Sequence, residues 1–260
     1  MFDYSHAIVR SPAASVVAGL RAEDGPDPDF EALCAEHAAY VRTLEGLGLH
    51  VTQLAASEEF PDSIFVEDPA LVFGEGAIVL NLAAPSRAGE SALLSPVLED
   101  RFETVLHMQG PGHADGGDIL VLRDRVLIGL SNRTDRAGAE ELISLLARLG
   151  KKGEIAETPP GILHFKTGCS LIDEETVFAL APMVNSPAFA GMRVVEVPAG
   201  EEKAANKLRI RDSILMGAEF HKSRAIVESF GIPTIGLSVE QIGRIDAGLS
   251  CMSLRWREKI

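Results

Sequence analysis

Cys251 lies in the run Gly248-Leu249-Ser250-Cys251-Met252-Ser253-Leu254, where small and polar residues interrupt what reads as a closing apolar strand. A lone cysteine is ordinarily a small buried hydrophobe. It becomes a candidate nucleophile when a histidine and carboxylates elsewhere in the chain are available as base and orienter. His164, in Leu163-His164-Phe165-Lys166, and the clusters Asp62/Glu67/Asp68 and Asp115/Asp118 supply those groups. Together they would allow thiolate attack on an electrophilic carbon, with one imidazole moving protons in both directions. Singly, each has a plainer reading: His164 as a core histidine, Asp115-Gly116-Gly117-Asp118 as a tight turn, Glu67-Asp68 as a solvated strand end. Asp118 stays open between site and turn. Cys251, His164 and Asp115 could also ligate zinc, but the chain has no CxxC or HxxxH spacing, so no metal is expected. No GxGxxG leads a strand into a helix, which argues against a dinucleotide cofactor.

These residues are far apart in sequence, so the elements between them must bring them together. A hairpin followed by a polar segment recurs every 40 to 50 residues. Its copies are Ala70-Leu71-Val72-Phe73 with Ala77-Ile78-Val79-Leu80, Ile119-Leu120-Val121-Leu122 with Arg125-Val126-Leu127-Ile128-Gly129, Ser170-Leu171-Ile172 with Thr176-Val177-Phe178-Ala179-Leu180, and Lys207-Leu208-Arg209-Ile210 with Ser213-Ile214-Leu215-Met216-Gly217. Helices are expected from about Gly89, through Ala139 to Leu142, and from His221 to Phe230. A degenerate fifth copy starts at Ala7-Ile8-Val9-Arg10-Ser11-Pro12, with no hairpin partner following it. Hairpins inside every unit do not suit simple βαβ winding. Repeated ββαβ-like blades around an axis do, in an α/β-propeller of one domain over residues 1–260, with turns and strand ends directed at a central cavity. Residues 22–29 read as a polar, proline-broken surface loop that could serve as a lid.

The chain has 260 residues, 46% of them apolar, and a net charge of −14. Such a surface repels phosphate backbones and anionic lipid, so neither nucleic acid nor a membrane is an expected partner, whereas a cationic ligand would be attracted. Three cysteines are too few for a disulfide framework. With no signal peptide and no apolar run of about 20 residues, the expected location is the cytoplasm.

Phe60-Pro61-Asp62-Ser63-Ile64-Phe65-Val66-Glu67-Asp68, Asp115-Gly116-Gly117-Asp118, Gly129-Leu130-Ser131-Asn132-Arg133-Thr134, Leu163-His164-Phe165-Lys166 and Leu249-Ser250-Cys251 occur in the order of the dimethylarginine dimethylaminohydrolases. The chain resembles that family over nearly its whole length. The resemblance implies the five-bladed α/β-propeller, or pentein, fold of the guanidino-group-modifying enzymes, in agreement with the repeat. It implies hydrolysis of Nω-methylated arginine to citrulline through a covalent thiouronium on Cys251, with His164 as acid and then base and Asp115 beside it. By the same resemblance Asp68 and Glu67 surround the guanidinium, and Arg87 and Arg133, which follow equivalent strands of successive repeats, bind the α-carboxylate. Asp62 and the backbone near Leu20 receive the α-ammonium, and segment 20–29 is the lid. No cofactor is implied, and the partner is a small guanidino substrate bound by a monomer or homodimer. The alternatives are a deiminase that releases ammonia from arginine or another small guanidine, and a non-catalytic pentein binding module, against which the acidic balance and the joint presence of Cys251, His164 and Asp115 argue. An amidinotransferase would ordinarily be longer.

Overall fold

The computed structural model describes residues 1–21 and 25–259. Its strands form five sheets of three strands each. The first repeat contributes β1 (His6–Arg10), helix α1 (Phe30–Gly46) and β2 (His50–Leu54). The second is β3 (Ala70–Phe73), β4 (Gly76–Val79), α2 (Glu90–Arg101) and β5 (Val105–His107), and the third is β6 (Ile119–Val121), β7 (Val126–Leu130), α3 (Arg136–Arg148) and β8 (Gly153–Glu157). The fourth consists of β9 (Cys169–Leu171), β10 (Thr176–Ala179) and β11 (Arg193–Glu196); the fifth of β12 (Leu208–Ile210), β13 (Ser213–Gly217), α4 (His221–Glu228) and β14 (Thr234–Leu237). In the second to fifth repeats each middle strand pairs antiparallel with the first strand of its hairpin and parallel with the third, so each of these four sheets is a hairpin plus a crossover strand. Middle strands such as β4 and β10 are buried throughout, which explains their largely apolar sequence.

The blade that the sequence leaves without a hairpin is completed from the other end of the chain. β15 (Leu254–Trp256) pairs antiparallel with β1, Ile8 opposite Leu254 and His6 opposite Trp256. The ring is therefore closed by joining the two termini. Cys251 itself is not in a strand but in a 3₁₀ turn, Leu249–Met252, just before β15. Asp29 and Asp135 cap α1 and α3 by accepting from Ala32 and Gly138 amides. In the fourth repeat, two 3₁₀ turns beginning at Ala181 and Pro187 replace the crossover helix; proline near the start of each suits a short turn and not a long helix.

The first hairpin strands β3, β6, β9 and β12, with β15, face the axis and line a cavity of about 490 Å³. No helix among the described residues is long and apolar enough to cross a membrane.

Candidate active site

Every inner strand is entered from the same end through a tight turn. Asp68 precedes β3, Asp115 to Asp118 precede β6, His164 precedes β9, Asn206 precedes β12 and Cys251 precedes β15. The propeller thereby gathers five sequence-distant turns at one end of its axis. The cavity extends from that end along the strands, and its lining reaches the gathered turns at Glu67, Asn206 and Ser250.

The Asp-Gly-Gly-Asp turn is dictated by close approach. A Cβ on Gly116 would lie 2.0 Å from the Glu67 carbonyl oxygen, and one on Gly117 would lie 2.7 Å from His164 Nδ1 and 3.0 Å from Asp68 Oδ1. Only glycine lets the segments carrying Asp68, Asp115 and His164 converge. His164 Nε2 is 3.4 Å from Asp115 Oδ2, and both atoms are buried with no hydrogen-bond partner of good geometry. Burial by itself would lower the His164 pKa, but Asp115, Asp68 and Asp118 outweigh it and hold the imidazole above its ordinary value.

Asp118 is fully buried and fully engaged. Its Oδ2 accepts from Ser131 Oγ and Thr134 Oγ1, both at 2.7 Å, and its Oδ1 accepts from the Phe165 amide at 2.8 Å. It ties the residue following His164 to the turn carrying Arg133, which is a positioning arrangement. Burial raises its pKa despite these bonds.

Asp68 accepts from the Gly117 amide at 3.0 Å and from Arg87 Nη1 at 2.5 Å. Burial pushes its pKa up, yet Arg87 and His164 more than offset that, so the carboxyl sits below its usual range. Arg87 also donates to Glu90 through Nε at 2.9 Å and Nη2 at 2.7 Å, and through Nη2 to the carbonyls of Asp62 and Phe65. Its guanidinium is thus almost saturated within the protein. Burial pushes the Glu90 carboxyl up to about 7 in spite of that pairing. Arg133 is in the opposite condition, with a buried Nη1 that has no partner. It is close enough to Asp62 to act on its charge. Asp62 Oδ1 accepts the Leu20 amide at 2.9 Å, which joins the two groups the resemblance assigns to one end of a ligand; burial raises the Asp62 pKa.

Glu67 does not present an open carboxylate. Oε1 lies 2.7 Å from Lys166 Nζ and 3.1 Å from Arg255 Nη2, while Oε2 accepts from Ser250 Oγ at 3.1 Å. Its amide donates to the Cys251 carbonyl at 3.2 Å, anchoring the cysteine turn. Cys251 is half-buried, and burial, then Glu67 and Asp68, push its thiol up to about 11. Of the loop read as a lid, residues 22–24 lie outside the described residues. Next to them, Arg21 Nη2 bonds Asp27 at 2.8 Å, and the Asp29 amide donates to Gln241 at 2.9 Å.

Two residues with evident parts in this arrangement carry no role in the sequence reading. Glu90 is the second anion on Arg87, legible as an Arg-x-x-Glu pair at a helix start. Asn206 touches Cys251 Sγ at 3.4 Å. Its signal is positional: it stands two residues before β12, as Asp68 stands two before β3.

An arginine deiminase family model matches residues 55–187. The chain is 33% identical over 254 residues to the N(G),N(G)-dimethylarginine dimethylaminohydrolase of Pseudomonas aeruginosa, covering 97% of this chain and 100% of that one. It is 28% identical to the enzyme of the same name from Streptomyces coelicolor, over 97% of each. A solved structure of the Pseudomonas protein, a cysteine-to-serine mutant complexed with citrulline, superposes with a TM-score of 0.95 at 32% identity over 98% of this chain and 100% of that one. The N-terminal domain of an arginine dihydrolase shares the fold at a TM-score of 0.87 and 15% identity, over 98% of each chain.

Proposed function

The chain belongs to the dimethylarginine dimethylaminohydrolase family, and on that premise we propose that it hydrolyses Nω-methylated arginine to citrulline, releasing dimethylamine or methylamine. The observation that carries this reading is the convergence of a thiol and an imidazole on the buried Asp68 carboxylate, which acts on both at the entry turns of the inner strands, with an unsatisfied arginine nitrogen nearby.

The electrostatics suit a cationic substrate. In the free protein burial, and then the carboxylates of Glu67 and Asp68, keep Cys251 a thiol. A guanidinium placed against Asp68 brings the compensating charge, and the thiol releases its proton to solvent when the substrate binds. The thiolate attacks the guanidino carbon, a C–S bond forms, and the adduct is tetrahedral. His164, held protonated by its carboxylates, gives its proton to the methylated nitrogen, and that C–N bond breaks as the neutral amine leaves. The thiouronium remains on Cys251. Neutral His164 then takes a proton from water, the oxygen attacks the same carbon, and the C–S bond breaks to return the thiolate while the remaining hydroxyl proton passes to solvent, leaving the ureido group of citrulline. Asp115 steadies the imidazolium formed at each turnover. Arg133 receives the α-carboxylate, Asp62 and the Leu20 carbonyl receive the α-ammonium, and Arg87 serves chiefly to fix Asp68. Glu67 acts on the site from behind, through the Cys251 turn. The reaction needs no cofactor, and a protein of free thiols with this chemistry belongs in the cytoplasm, as one domain acting on a small guanidino substrate.

A second reading, deimination of unmethylated arginine, draws on the match to the arginine deiminase model. One assay separates the two. Wild type and Cys251→Ser are given asymmetric dimethylarginine, monomethylarginine and arginine in parallel, and both citrulline and the released amine are identified. Dimethylamine from wild type alone is the expected result; ammonia from arginine with no methylamine would sink the first reading in favour of the second.

A further inference from the structure

Among the described residues, Asn206 is the side-chain donor on Cys251 Sγ, through Nδ2 at 3.4 Å. The direction of the amide is fixed by its other end. Asn206 Oδ1 accepts the Ser250 backbone N–H at 3.2 Å, and a backbone N–H can only donate, so the oxygen must face Ser250 and the NH₂ must face the sulfur. Gly248 supports the same placement. A Cβ there would lie 2.3 Å from Asn206 Cγ and 2.6 Å from Oδ1, so the amide rests directly on the glycine backbone. The Gly248 φ of −139° is open to any residue, which makes its requirement one of space. Asn206 is itself held in place by its backbone N–H, which donates to the Lys203 carbonyl at 3.2 Å, at the end of the 3₁₀ turn Glu202–Ala205.

Resting on the reading of Cys251 as nucleophile, we infer that Asn206 is a further catalytic residue: its Nδ2–H stabilises the sulfur anion before attack and again when the C–S bond breaks, while its Oδ1 holds the cysteine turn in register. The surroundings make such a donor consequential. The charged neighbours that act most strongly on the sulfur are the carboxylates of Glu67 and Asp68, which oppose the anion. A hydrogen bond to a charged group contributes more than one between neutral partners, and its strength grows as the thiol becomes thiolate. Asn206 is also the point where the fifth repeat enters the site, so all five inner-strand turns contribute a group.

The test compares wild type with Asn206→Asp, an isosteric change that keeps an acceptor for the Ser250 amide and replaces the donor with an anion. Alkylation of Cys251 by iodoacetamide is followed against pH, with the site verified by peptide mass spectrometry and Cys251→Ser as control. The midpoint should move up by about 1–2 pH units, and kcat/KM for asymmetric dimethylarginine at pH 7 should fall about 10- to 100-fold, with KM changed little. Gly248→Ala leaves Asn206 in the chain but displaces its amide, and should move the midpoint in the same direction. It also provides the reading should Asn206→Asp not fold. A midpoint equal to wild type in the folded variant overturns the role of Asn206, since a merely structural residue would alter melting and not the titration. Full turnover by protein alkylated at Cys251 would instead sink the nucleophile reading, independently of how the midpoint responds.

Discussion

At the entry ends of the inner strands the axis is walled by Asp62, Asp68, Asp115 and Asp118, whereas the cavity along the strands is lined by Lys166, Lys207, Arg209 and Arg255. The two regions meet at Glu67, whose carboxylate is paired with Lys166 and Arg255. Burial is severe at both ends, but the two handle it differently. At the acidic end the charges are in surplus, an arrangement that awaits a cation and, together with burial, keeps a thiol neutral until one arrives. In the cavity, Lys207 is 3% exposed and, among the described residues, is held by neutral groups: Ser170 Oγ at 2.7 Å, the Leu171 carbonyl at 3.2 Å and the Phe178 ring at 4.8 Å. Burial accordingly pulls its pKa down to about 7. The lesson is that a buried charge is useful where a ligand completes it and a liability where nothing does.

That contrast can be broken experimentally. Cys251→Ser should lower citrulline formation by on the order of 10³-fold or more, with unfolding by urea unchanged; a loss of less than about tenfold would remove the acidic end from the chemistry. Arg87→Met leaves Asp68 and Glu90 buried without their shared cation, and should cost about 3–5 kcal/mol in urea unfolding. An unaltered unfolding midpoint accompanied by a raised KM would mean that Arg87 binds ligand instead. Arg133→Met removes a guanidinium that has an unpaired nitrogen, so the fold should tolerate it while binding weakens by about 1.5–3 kcal/mol, read as KM for asymmetric dimethylarginine. The same variant should handle N,N-dimethylguanidine, which lacks the α-carboxylate, as wild type does.

The smallest effect belongs to the cavity. Lys207 carries a folded-state pKa of about 7 against an ordinary 10.5, so the unfolded chain binds the extra proton between those values and wild-type stability rises with pH across that window. The cost of Lys207 is complete below pH 7 and gone above 10.5. Lys207→Met should therefore raise stability by about 1–2 kcal/mol near pH 6, after the lost bonds to Ser170 and Leu171 are set against it, and the gain should vanish toward pH 10. Parallel melting curves for the two proteins across that range would show that Lys207 is not the strained group.

The repeat was legible in the amino-acid sequence because a hairpin with both faces covered must be written as two apolar runs around a short polar turn, as in β3–β4 and β6–β7. Helices α2, α3 and α4 were legible from their positions after Arg87, Thr134 and Gly217, whereas α1 (Phe30–Gly46) was not read from the sequence. Cys251, His164 and the acids were legible as residue types with chemistry, placed in order by resemblance to a family. Pairing β1 with β15 was not, since nothing local in Ala7-Ile8-Val9 names a partner some 250 residues away, and only closure of the ring brings the two together. Nor could sequence separate Arg87 from Arg133. They occupy equivalent places in successive repeats, yet the first is saturated by Asp68 and Glu90 and the second keeps an unpaired nitrogen. Asn206 and Glu67 teach the same point: whether a polar side chain faces a sulfur or a lysine depends on the direction of its Cα–Cβ bond in the assembled turn. The sequence by itself determined which groups exist and how often the blade repeats. Which groups touch was decided only by the tertiary structure, because contact across the axis depends on the registers and turns of all five sheets at once.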